Sequence, residues 1–361
     1  MQPGEGSRVA VAISGGVDSS TTAALLVEQG YDVIGVMMRL WAEEGQGGST
    51  NRCCSIEAIA DARRVCYTLD IPFYLINYER EFKKEVVDLF IAEYARGRTP
   101  NPCLACNRRI KFDLLLRRAL AMDAQYLATG HYARVRQVDS RYQLLKGCDE
   151  WKDQSYALYM LGQKELQHLL LPLGDYSKQQ VRAMARQRGL PVAEKAESQD
   201  LCFLLDNDYR RFLQAQAPES IRPGPILDTA GRTIGQHKGL PFYTIGQREG
   251  LGIAVPEALY VMQIDVAGNA LVVGTKSELG QRELVAAEVN YVSGRIPQGP
   301  LEITAKIRYK AVGAEALLIP FEPFEVGRAR VTFARPQRDI TPGQGVVFYQ
   351  GEVVLGGGII S

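Results

Sequence analysis

A glycine-rich hexapeptide, Ser14-Gly15-Gly16-Val17-Asp18-Ser19, follows an apolar run at residues 9–13 and precedes a helical pattern at 20–29. A strand that turns tightly into a helix presents backbone N–H groups and the positive end of the helix dipole, and glycine lets an anion approach closely. The hexapeptide lacks the Gly-Lys-Ser/Thr ending of a Walker A loop. An ordinary glycine turn is the alternative, but the whole string behind a strand favours a different kind of phosphate-binding loop.

The first 205 residues alternate between strand and helix patterns. Apolar runs at 9–13, 33–38, 73–76 and 126–129 are separated by helical patterns such as 55–69 and 82–94. This alternation is typical of βαβ units, which form a parallel sheet and bind ligands beyond the carboxyl ends of its strands. We therefore expect Thr129-Gly130-His131-Tyr132 to lie at the same edge of the sheet as the hexapeptide.

A chain of 361 residues is too long for one ordinary domain. We predict an α/β catalytic domain over residues 1–205, a small turn-rich connecting domain over 206–280, and a C-terminal antiparallel β-barrel over 281–361. Polar and apolar residues alternate over 301–310, which predicts a half-buried strand with Lys306, Arg308 and Lys310 on its exposed face.

Composition excludes some classes of protein. The chain is 46% hydrophobic and 23% charged, with a net charge of +1, and its N-terminus has no apolar segment typical of a secretion signal. It has no apolar run long enough to span a bilayer. We expect a cytoplasmic protein with no membrane partner. Net charge near zero neither supports nor excludes nucleic acid, so local basic clusters matter more, such as the one that includes Arg108, Arg109 and Lys111.

The seven cysteines, an odd number, do not suggest a disulfide framework in such a chain. Cys103 and Cys106 form a Cys-x-x-Cys pair behind two prolines, and a helix is predicted from Arg109 to Leu120. Basic neighbours and a helix N-terminus favour the reactive thiolate, although a buried inert pair is the alternative. One such pair cannot fill a tetrahedral zinc site. Cys202 precedes an apolar run, which by itself favours a core cysteine.

Several motifs, taken in order, resemble the bacterial tRNA-specific 2-thiouridylases of the PP-loop ATP pyrophosphatase superfamily. The resemblance spans nearly the whole chain and rests on Ser14–Ser19, Gly97-Arg98-Thr99-Pro100-Asn101-Pro102, Cys106-Asn107, Ile110-Lys111-Phe112, Thr129-Gly130-His131-Tyr132, Lys152-Asp153-Gln154-Ser155-Tyr156, Cys202-Phe203, Thr244-Ile245-Gly246-Gln247-Arg248, Gly250-Leu251-Gly252 and Leu355-Gly356-Gly357-Gly358-Ile359-Ile360.

The resemblance implies ATP, with Mg²⁺, as the activating substrate. Enzymes of this family adenylate the C2 oxygen of the wobble uridine at tRNA position 34 and release pyrophosphate. Sulfur then replaces that oxygen and AMP leaves. The resemblance assigns Cys202 as the persulfide carrier and Cys106 as the nucleophile that forms a disulfide with Cys202 during turnover. It also implies a cysteine desulfurase or a relay protein as the sulfur donor. The implied ATP contacts are Ala12, Ile13, Ser14, Gly15, Gly16, Val17, Asp18, Ser19, Met38 and Gly130.

The resemblance also implies a tRNA surface. A uridine stacked in the anticodon must be turned out for chemistry at C2, and single-stranded loops permit this. Phosphate contacts would position the tRNA and pocket contacts would select the base. Asn101, Pro102 and Cys103 match the segment that meets the base, and the implied tRNA contacts are His131, Lys152, Asp153, Gln154, Arg308, Tyr309 and Gln344.

Three alternatives stay open at this point. Cys103 stands where one well-known form of the family has an aspartate, so Cys103, Cys106 and Cys202 form a set of thiols that could hold a [4Fe–4S] cluster with one open iron. Another adenylating PP-loop enzyme, such as an amide-forming synthetase, would need a glutaminase segment or another ammonia source. A non-catalytic RNA-binding protein would not need the phosphate loop or the thiols.

Overall fold

The structure, a computed structural model, describes residues 6–43, 55–196, 201–253, 255–321 and 325–361. Its strands form three sheets. Within these ranges, no helix is both long enough and apolar enough to cross a membrane.

A parallel sheet organises the N-terminal region. The strands up to residue 205 are β1 (Arg8–Ala12), β2 (Asp32–Arg39), β3 (Phe73–Asn77), β4 (Tyr126–Ala128), β5 (Ala133–Val138), β6 (Arg141–Lys146) and β7 (Leu169–Leu170). The order β3-β2-β1-β4-β7 places β1 at the centre, and every pairing within it is parallel. Val9, Ala10 and Val11 of β1 are completely buried. The predicted α/β fold is confirmed.

The helices that surround this sheet are short and often consecutive. They are α1 (Val17–Glu28), α2 (Ile56–Thr68), α3 (Glu79–Phe82), α4 (Leu89–Ala95), α5 (Pro102–Ala105), α6 (Leu116–Leu120), α7 (Gln163–Leu166) and α8 (Lys178–Gln187), followed after residue 205 by α9 (Tyr209–Gln216). π-helical turns at Lys83–Asp88 and Cys106–Leu115 join α3 to α4 and α5 to α6.

The helix that we predicted from Arg109 begins earlier, at Pro102. The Asn101 side chain accepts the N–H of Cys103 at 3.1 Å and so caps the helix. Proline is suited to the first helical position because it has no N–H to leave unpaired. Cys103 therefore lies in the first helical turn, and Cys106 lies one turn further on.

A small mixed sheet forms the central region. Its strands are β8 (Gly224–Leu227), β9 (Thr233–His237), β10 (Leu259–Asp265) and β11 (Ala270–Thr275), in the order β10-β11-β8-β9. Ile226, Val261 and Leu271 are fully buried between the strands and the loops that cover them. In the Arg222-Pro223-Gly224-Pro225 sequence, Gly224 and Pro225 already belong to β8.

The C-terminal region is a closed antiparallel barrel, as predicted. Its strands are β12 (Gln281–Tyr291), β13 (Leu301–Lys306), β14 (Ala314–Pro320), β15 (Ala329–Gln337), β16 (Gly345–Gln350) and β17 (Val353–Ile360). They pair in the order β12-β15-β14-β13-β16-β17, and a pairing of β12 with β17 closes the barrel. Val331, Val346 and Phe348 are completely buried in its core.

The strand predicted over 301–310 is shorter than expected. β13 ends at Lys306, where its pairing with Val347 of β16 also ends. The chain then bends, and the N–H of Ala311 donates to the Arg308 carbonyl at 3.1 Å. Arg308 and Lys310 therefore lie in a bend beyond the strand, and the prediction that placed them on the face of the strand is wrong.

A hairpin from the N-terminal region joins the barrel. Strands β5 and β6 pair with each other, and Leu144 and Leu145 of β6 pair with Val354 and Val353 of β17. Leu144 and Val354 are both buried. The sheet of the barrel thus continues into the α/β region, a link that the sequence patterns did not predict.

Candidate active site

The loop between β1 and α1 has the shape of an anion cradle. Gly15 has φ +69°, and a Cβ at this position would lie 2.5 Å from the Ala58 carbonyl oxygen, so only glycine fits. Gly16 begins α1 in extended conformation and supplies no side chain to cap the first N–H groups of the helix. The N–H of Ser14 instead donates to Ser19 Oγ at 3.1 Å, which closes the loop on itself. Backbone N–H groups at such a helix start are suited to phosphate oxygens.

The predicted nucleotide residues meet where the strand order reverses. β2 lies on one side of β1 and β4 on the other, so the carboxyl ends of β1 and β4 flank a crevice that commonly binds ligands in such sheets. Gly130 follows β4, and a Cβ there would lie 2.9 Å from both the Asp18 carbonyl carbon and the Ser19 nitrogen. Met38 is at the carboxyl end of β2. The structure brings these residues together, and their contact with ATP stays a prediction.

Two lysines that the sequence analysis missed lie at this loop. Lys178 Nζ donates to both carboxylate oxygens of Asp18 at 2.6 and 2.8 Å, and the Tyr132 hydroxyl donates to the same carboxylate at 2.8 Å. Lys195 Nζ donates to the Gly15 carbonyl at 2.9 Å and to Asp61 at 2.7 Å. Both lysines are distant from the loop in sequence. The one signal in the sequence that basic residues must come from elsewhere was that the loop itself contains none.

The two cysteines with implied catalytic roles share one hydrophobic cluster. Cys106 is a buried member of the cluster, with 8% of its surface exposed, and the half-buried Cys202 packs against the same cluster. Met38, near the carboxyl end of β2, packs against it too. Cys103 is exposed. The sequence pattern around Cys202 favoured a core position, and the structure places this residue at the margin of the core.

The thiols do not fit an iron–sulfur cluster. Among the residues that the structure describes, which include Cys103, Cys106 and Cys202, no three histidine, cysteine or acidic side chains are grouped so as to hold a metal ion. The exposed Cys103 and the buried Cys106 lie in different environments. A [4Fe–4S] cluster on these three residues is therefore not supported by their arrangement.

The segment predicted to meet the target base is held by the two other regions of the protein. Thr99 Oγ1 donates to Thr244 Oγ1 at 3.1 Å, which links it to the central region. The N–H of Thr99 donates to the Pro342 carbonyl at 2.9 Å, and its carbonyl accepts Gln344 Nε2 at 2.8 Å. The predicted tRNA residue Gln344 thus fixes the chain that enters α5, the helix that carries Cys103.

His131 is buried and neutral. Its Nδ1 shares a hydrogen bond with Thr129 Oγ1 at 2.7 Å, and its ring lies 5.7 Å from that of Phe112. Burial, and secondarily the positive charge of Lys111, hold the pKa of His131 well below its ordinary value. A neutral imidazole can exchange hydrogen bonds with a base or a ribose but does not neutralise a phosphate.

The predicted tRNA residues at 152–154 are partly used inside the protein. The buried Asp153 accepts the N–H groups of Gly147 and Ser155 at 3.0 Å. Gln154 Oε1 accepts the N–H of Tyr132, also at 3.0 Å. Gln154 therefore orients the residue that donates to Asp18. A contact of this segment with tRNA stays a prediction.

The predicted tRNA contact Arg308 and Arg108 of the local basic cluster already have acidic partners. Arg308 forms an ion pair with Asp339, and Arg108 forms one with Glu288 of the barrel at 2.6 Å. Tyr309 is partly buried, and its ring centroid lies 6.2 Å from that of Tyr156 in an edge-to-face arrangement. Exposed ion pairs of this kind are weak and can exchange an acidic partner for a phosphate.

The parallel sheet, its reversal point and the glycine cradle define a nucleotide-binding α/β protein. Family models match residues 7–206 as a tRNA methyl transferase HUP domain, 210–275 as a tRNA methyl transferase PRC-barrel domain, and 281–360 as an aminomethyltransferase beta-barrel domain.

Curated relatives narrow this class. The tRNA-specific 2-thiouridylase MnmA of Moorella thermoacetica is 55% identical over 97% of this chain and 98% of its own length. The MnmA proteins of Roseiflexus castenholzii and Pelotomaculum thermopropionicum are each 50% identical, over 98% and 99% of this chain and 99% and 98% of their own lengths. The chain belongs to the tRNA-specific 2-thiouridylase family, whose members are tRNA-uridine 2-sulfurtransferases. The expected family is confirmed.

One solved structure resembles this chain more weakly. The U34-tRNA thiolase NcsA of Methanococcus maripaludis, solved with its [4Fe–4S] cluster, is 20% identical with a TM-score of 0.36, and the match covers 59% of this chain and 67% of that one. This likeness is too low to transfer the cluster to this chain.

Proposed function

We propose that this protein converts the wobble uridine at tRNA position 34 to 2-thiouridine by adenylation followed by sulfur transfer through a cysteine persulfide. One observation carries the proposal. Met38 lies at the nucleotide edge of the parallel sheet and also packs against the cluster shared by Cys106 and Cys202. The phosphate loop and the two thiols therefore belong to neighbouring parts of one site.

The first step uses ATP. The C2 oxygen of uridine attacks the α-phosphorus, the bond to the β-phosphate oxygen breaks, pyrophosphate leaves, and the N3 proton of uridine is lost to solvent. The loop N–H groups and the start of α1 would stabilise the charge on the departing phosphates. Asp18 and Asp61, the carboxylates at the loop, are already bound by Lys178 and Lys195. Mg²⁺ would thus reach the site on the phosphates of ATP.

The second step uses the thiols. The terminal sulfur of a Cys202 persulfide attacks C2, and the carbon–oxygen bond to AMP breaks. The Cys106 thiolate then attacks Cys202 Sγ, and the electron pair of the broken S–S bond stays on the sulfur attached to C2. This yields 2-thiouridine after protonation at N3, and a Cys106–Cys202 disulfide that an external thiol must reduce.

The burial of the two cysteines suits these roles. Cys202 is half-exposed, so a sulfur donor protein, a cysteine desulfurase or a relay protein, can reach it. Cys106 is 8% exposed and is shielded from oxidation until the persulfide has reacted. Cys103, next to Asn101 and Pro102 at the start of α5, would face the target base.

The test separates the two half-reactions. Pyrophosphate exchange into ATP, with and without tRNA, measures adenylation, and labelled sulfur incorporated into tRNA measures transfer. We expect Cys202→Ser and Cys106→Ser to abolish sulfur incorporation and to retain tRNA-dependent exchange. Cys148→Ser is the matched control, because Cys148 is an exposed cysteine outside the cluster.

Unchanged incorporation in either serine variant would refute the role given to that cysteine. Assays for iron and acid-labile sulfide on anaerobically purified protein address the cluster alternative, which predicts that iron-free protein is inactive. Amide formation with ammonia in place of sulfur transfer would identify an amide-forming synthetase.

A further inference from the structure

The phosphate loop depends on positive charge from elsewhere in the chain. Residues 12–19 contain no lysine, arginine or histidine. The Lys195 ammonium lies against this loop, 2.9 Å from the Gly15 carbonyl oxygen, and its side chain is 38% exposed. A lysine ammonium has three donors, so it can keep the Gly15 carbonyl while it changes its other partners.

The second partner of Lys195 is a carboxylate that an incoming anion can replace. Asp61 belongs to α2, which packs closely against the loop: a Cβ on Gly15 would lie 3.3 Å from Asp61 Cβ. Arg64 Nη1 also lies 3.7 Å from an Asp61 oxygen. Asp61 thus keeps a cationic neighbour if Lys195 moves to a phosphate, so the exchange leaves no isolated charge.

Lys195 also lies close to Cys202 along the chain, in a stretch that is packed beside the phosphate loop. Ala193 is buried in the same cluster as Val17, the first residue of α1, which anchors this stretch beside the nucleotide loop. The N–H of Lys195 donates to the Val192 carbonyl at 3.0 Å. Cys202 follows only seven residues later. Whatever Lys195 binds therefore holds the chain at a point seven residues before Cys202.

We propose that Lys195 exchanges Asp61 for the polyphosphate of ATP, and that this contact tethers the chain that leads to Cys202 to the nucleotide during uridine activation. Lys195 would be a phosphate-binding residue and, for sulfur transfer, a positioning residue. This proposal rests on the function proposed above. It predicts that loss of the ammonium weakens ATP binding and also uncouples AMP release from sulfur incorporation.

The experiment compares Lys195→Gln, Lys195→Arg and Asp61→Asn, with Lys276→Gln as the matched control at an exposed turn of the central sheet. The readouts are the KM for ATP in tRNA-dependent pyrophosphate exchange, and the number of 2-thiouridines formed per AMP released. We expect Lys195→Gln to raise the KM for ATP about tenfold or more, the size typical of a charge-assisted hydrogen bond, and to lower the 2-thiouridine yield per AMP. Lys195→Arg should restore much of both.

Asp61→Asn distinguishes the proposal from a purely structural ion pair, because the two predict opposite changes in the KM for ATP. If Asp61 competes with ATP for Lys195, its neutralisation lowers the KM for ATP. If the pair only supports the fold, Asp61→Asn and Lys195→Gln both raise the KM, and the proposal is overturned. An unchanged KM in Lys195→Gln would refute the phosphate contact, and an unchanged yield per AMP would refute the tether. Wild-type protein that neither exchanges pyrophosphate nor thiolates tRNA would instead overturn the proposed function.

Discussion

The side-chain amide of Gln344 donates to the backbone carbonyl of Thr99 across a separation of 245 residues, at 2.8 Å. This bond joins the barrel to the segment that begins α5. Gly343 completes the contact, because its position leaves room for the Thr99 backbone. The placement of Cys103 and Cys106 therefore depends on the barrel as well as on the parallel sheet.

Substitution of Gly343 tests this dependence. Gly343 has φ +92°, and a Cβ there would lie 2.9 Å from the Thr99 carbonyl oxygen, so Gly343→Ala adds both backbone strain and a clash with backbone atoms. We expect a loss of about 2 kcal/mol or more in stability, measured by chemical denaturation, and reduced tRNA thiolation. The control is Gly351→Ala, where φ is +60° and nothing lies within 4 Å. Equal effects of the two substitutions would show that the contact with Thr99 is unimportant.

Gly130→Ala is expected to damage the nucleotide site. The added methyl group would lie 2.9 Å from backbone atoms of Asp18 and Ser19 and would displace the start of α1. The KM for ATP in pyrophosphate exchange should rise at least about tenfold, since small displacements of binding groups are costly. Gly299→Ala, at a position with nothing within 4 Å, should leave the KM unchanged. An unaltered KM for ATP in Gly130→Ala would show that Gly130 takes no part in ATP binding.

His131 should make the stability of the protein depend on pH. Its pKa in the folded state is well below the ordinary value near 6.5, so below about pH 6.5 the unfolded chain binds a proton that the folded protein does not. The contribution of His131 to the free energy of unfolding is therefore fully present above that pH. As the pH is lowered, the free energy of unfolding falls by up to about 1.4 kcal/mol per pH unit because of this group. Urea unfolding at pH 7.5 and 5.5 should show a smaller loss for His131→Asn than for the wild type. An identical loss in both proteins would contradict this assignment.

The cysteines should differ sharply in their reaction with iodoacetamide. Burial raises the pKa of Cys66 to about 11, and its side chain is 1% exposed, so at pH 8 it is neither ionised nor accessible. Peptide mass spectrometry of native protein should find the exposed Cys103 and Cys148 alkylated well before Cys66. Rapid labelling of Cys66 without unfolding would show that the apolar core around Cys66 opens in the folded protein.

Local sequence patterns predicted the elements of the fold well but not the contacts between them. The run at 9–13 and the two glycines after it were sufficient to predict β1, its loop and α1, because these features depend on neighbouring residues. The pairing of β6 with β17 depends on residues more than 200 positions apart, such as Leu144 and Val354. The alternation over 301–310 also could not reveal that the pairing of β13 with β16 ends at Lys306.

The same distinction applies to the site. Gly15 and Gly130 were predicted by motif, and the structure gives each a steric reason to be glycine. Lys178 and Lys195 belong to no recognisable motif, and only the folded chain brings them to the loop. Asp153 was predicted to face tRNA, but its burial and its hydrogen bonds to Gly147 and Ser155 are tertiary properties that no local pattern reveals.

The hairpin of β5 and β6 has a practical consequence for anyone who would dissect the protein. A fragment cut near residue 281 would expose the β17 edge at Val353 and Val354, and the complementary fragment would expose the β6 edge at Leu144 and Leu145. Unpaired apolar edges promote aggregation. The apparent modules of this enzyme are thus not interchangeable parts, and chimaeras with related enzymes should exchange the hairpin together with the barrel.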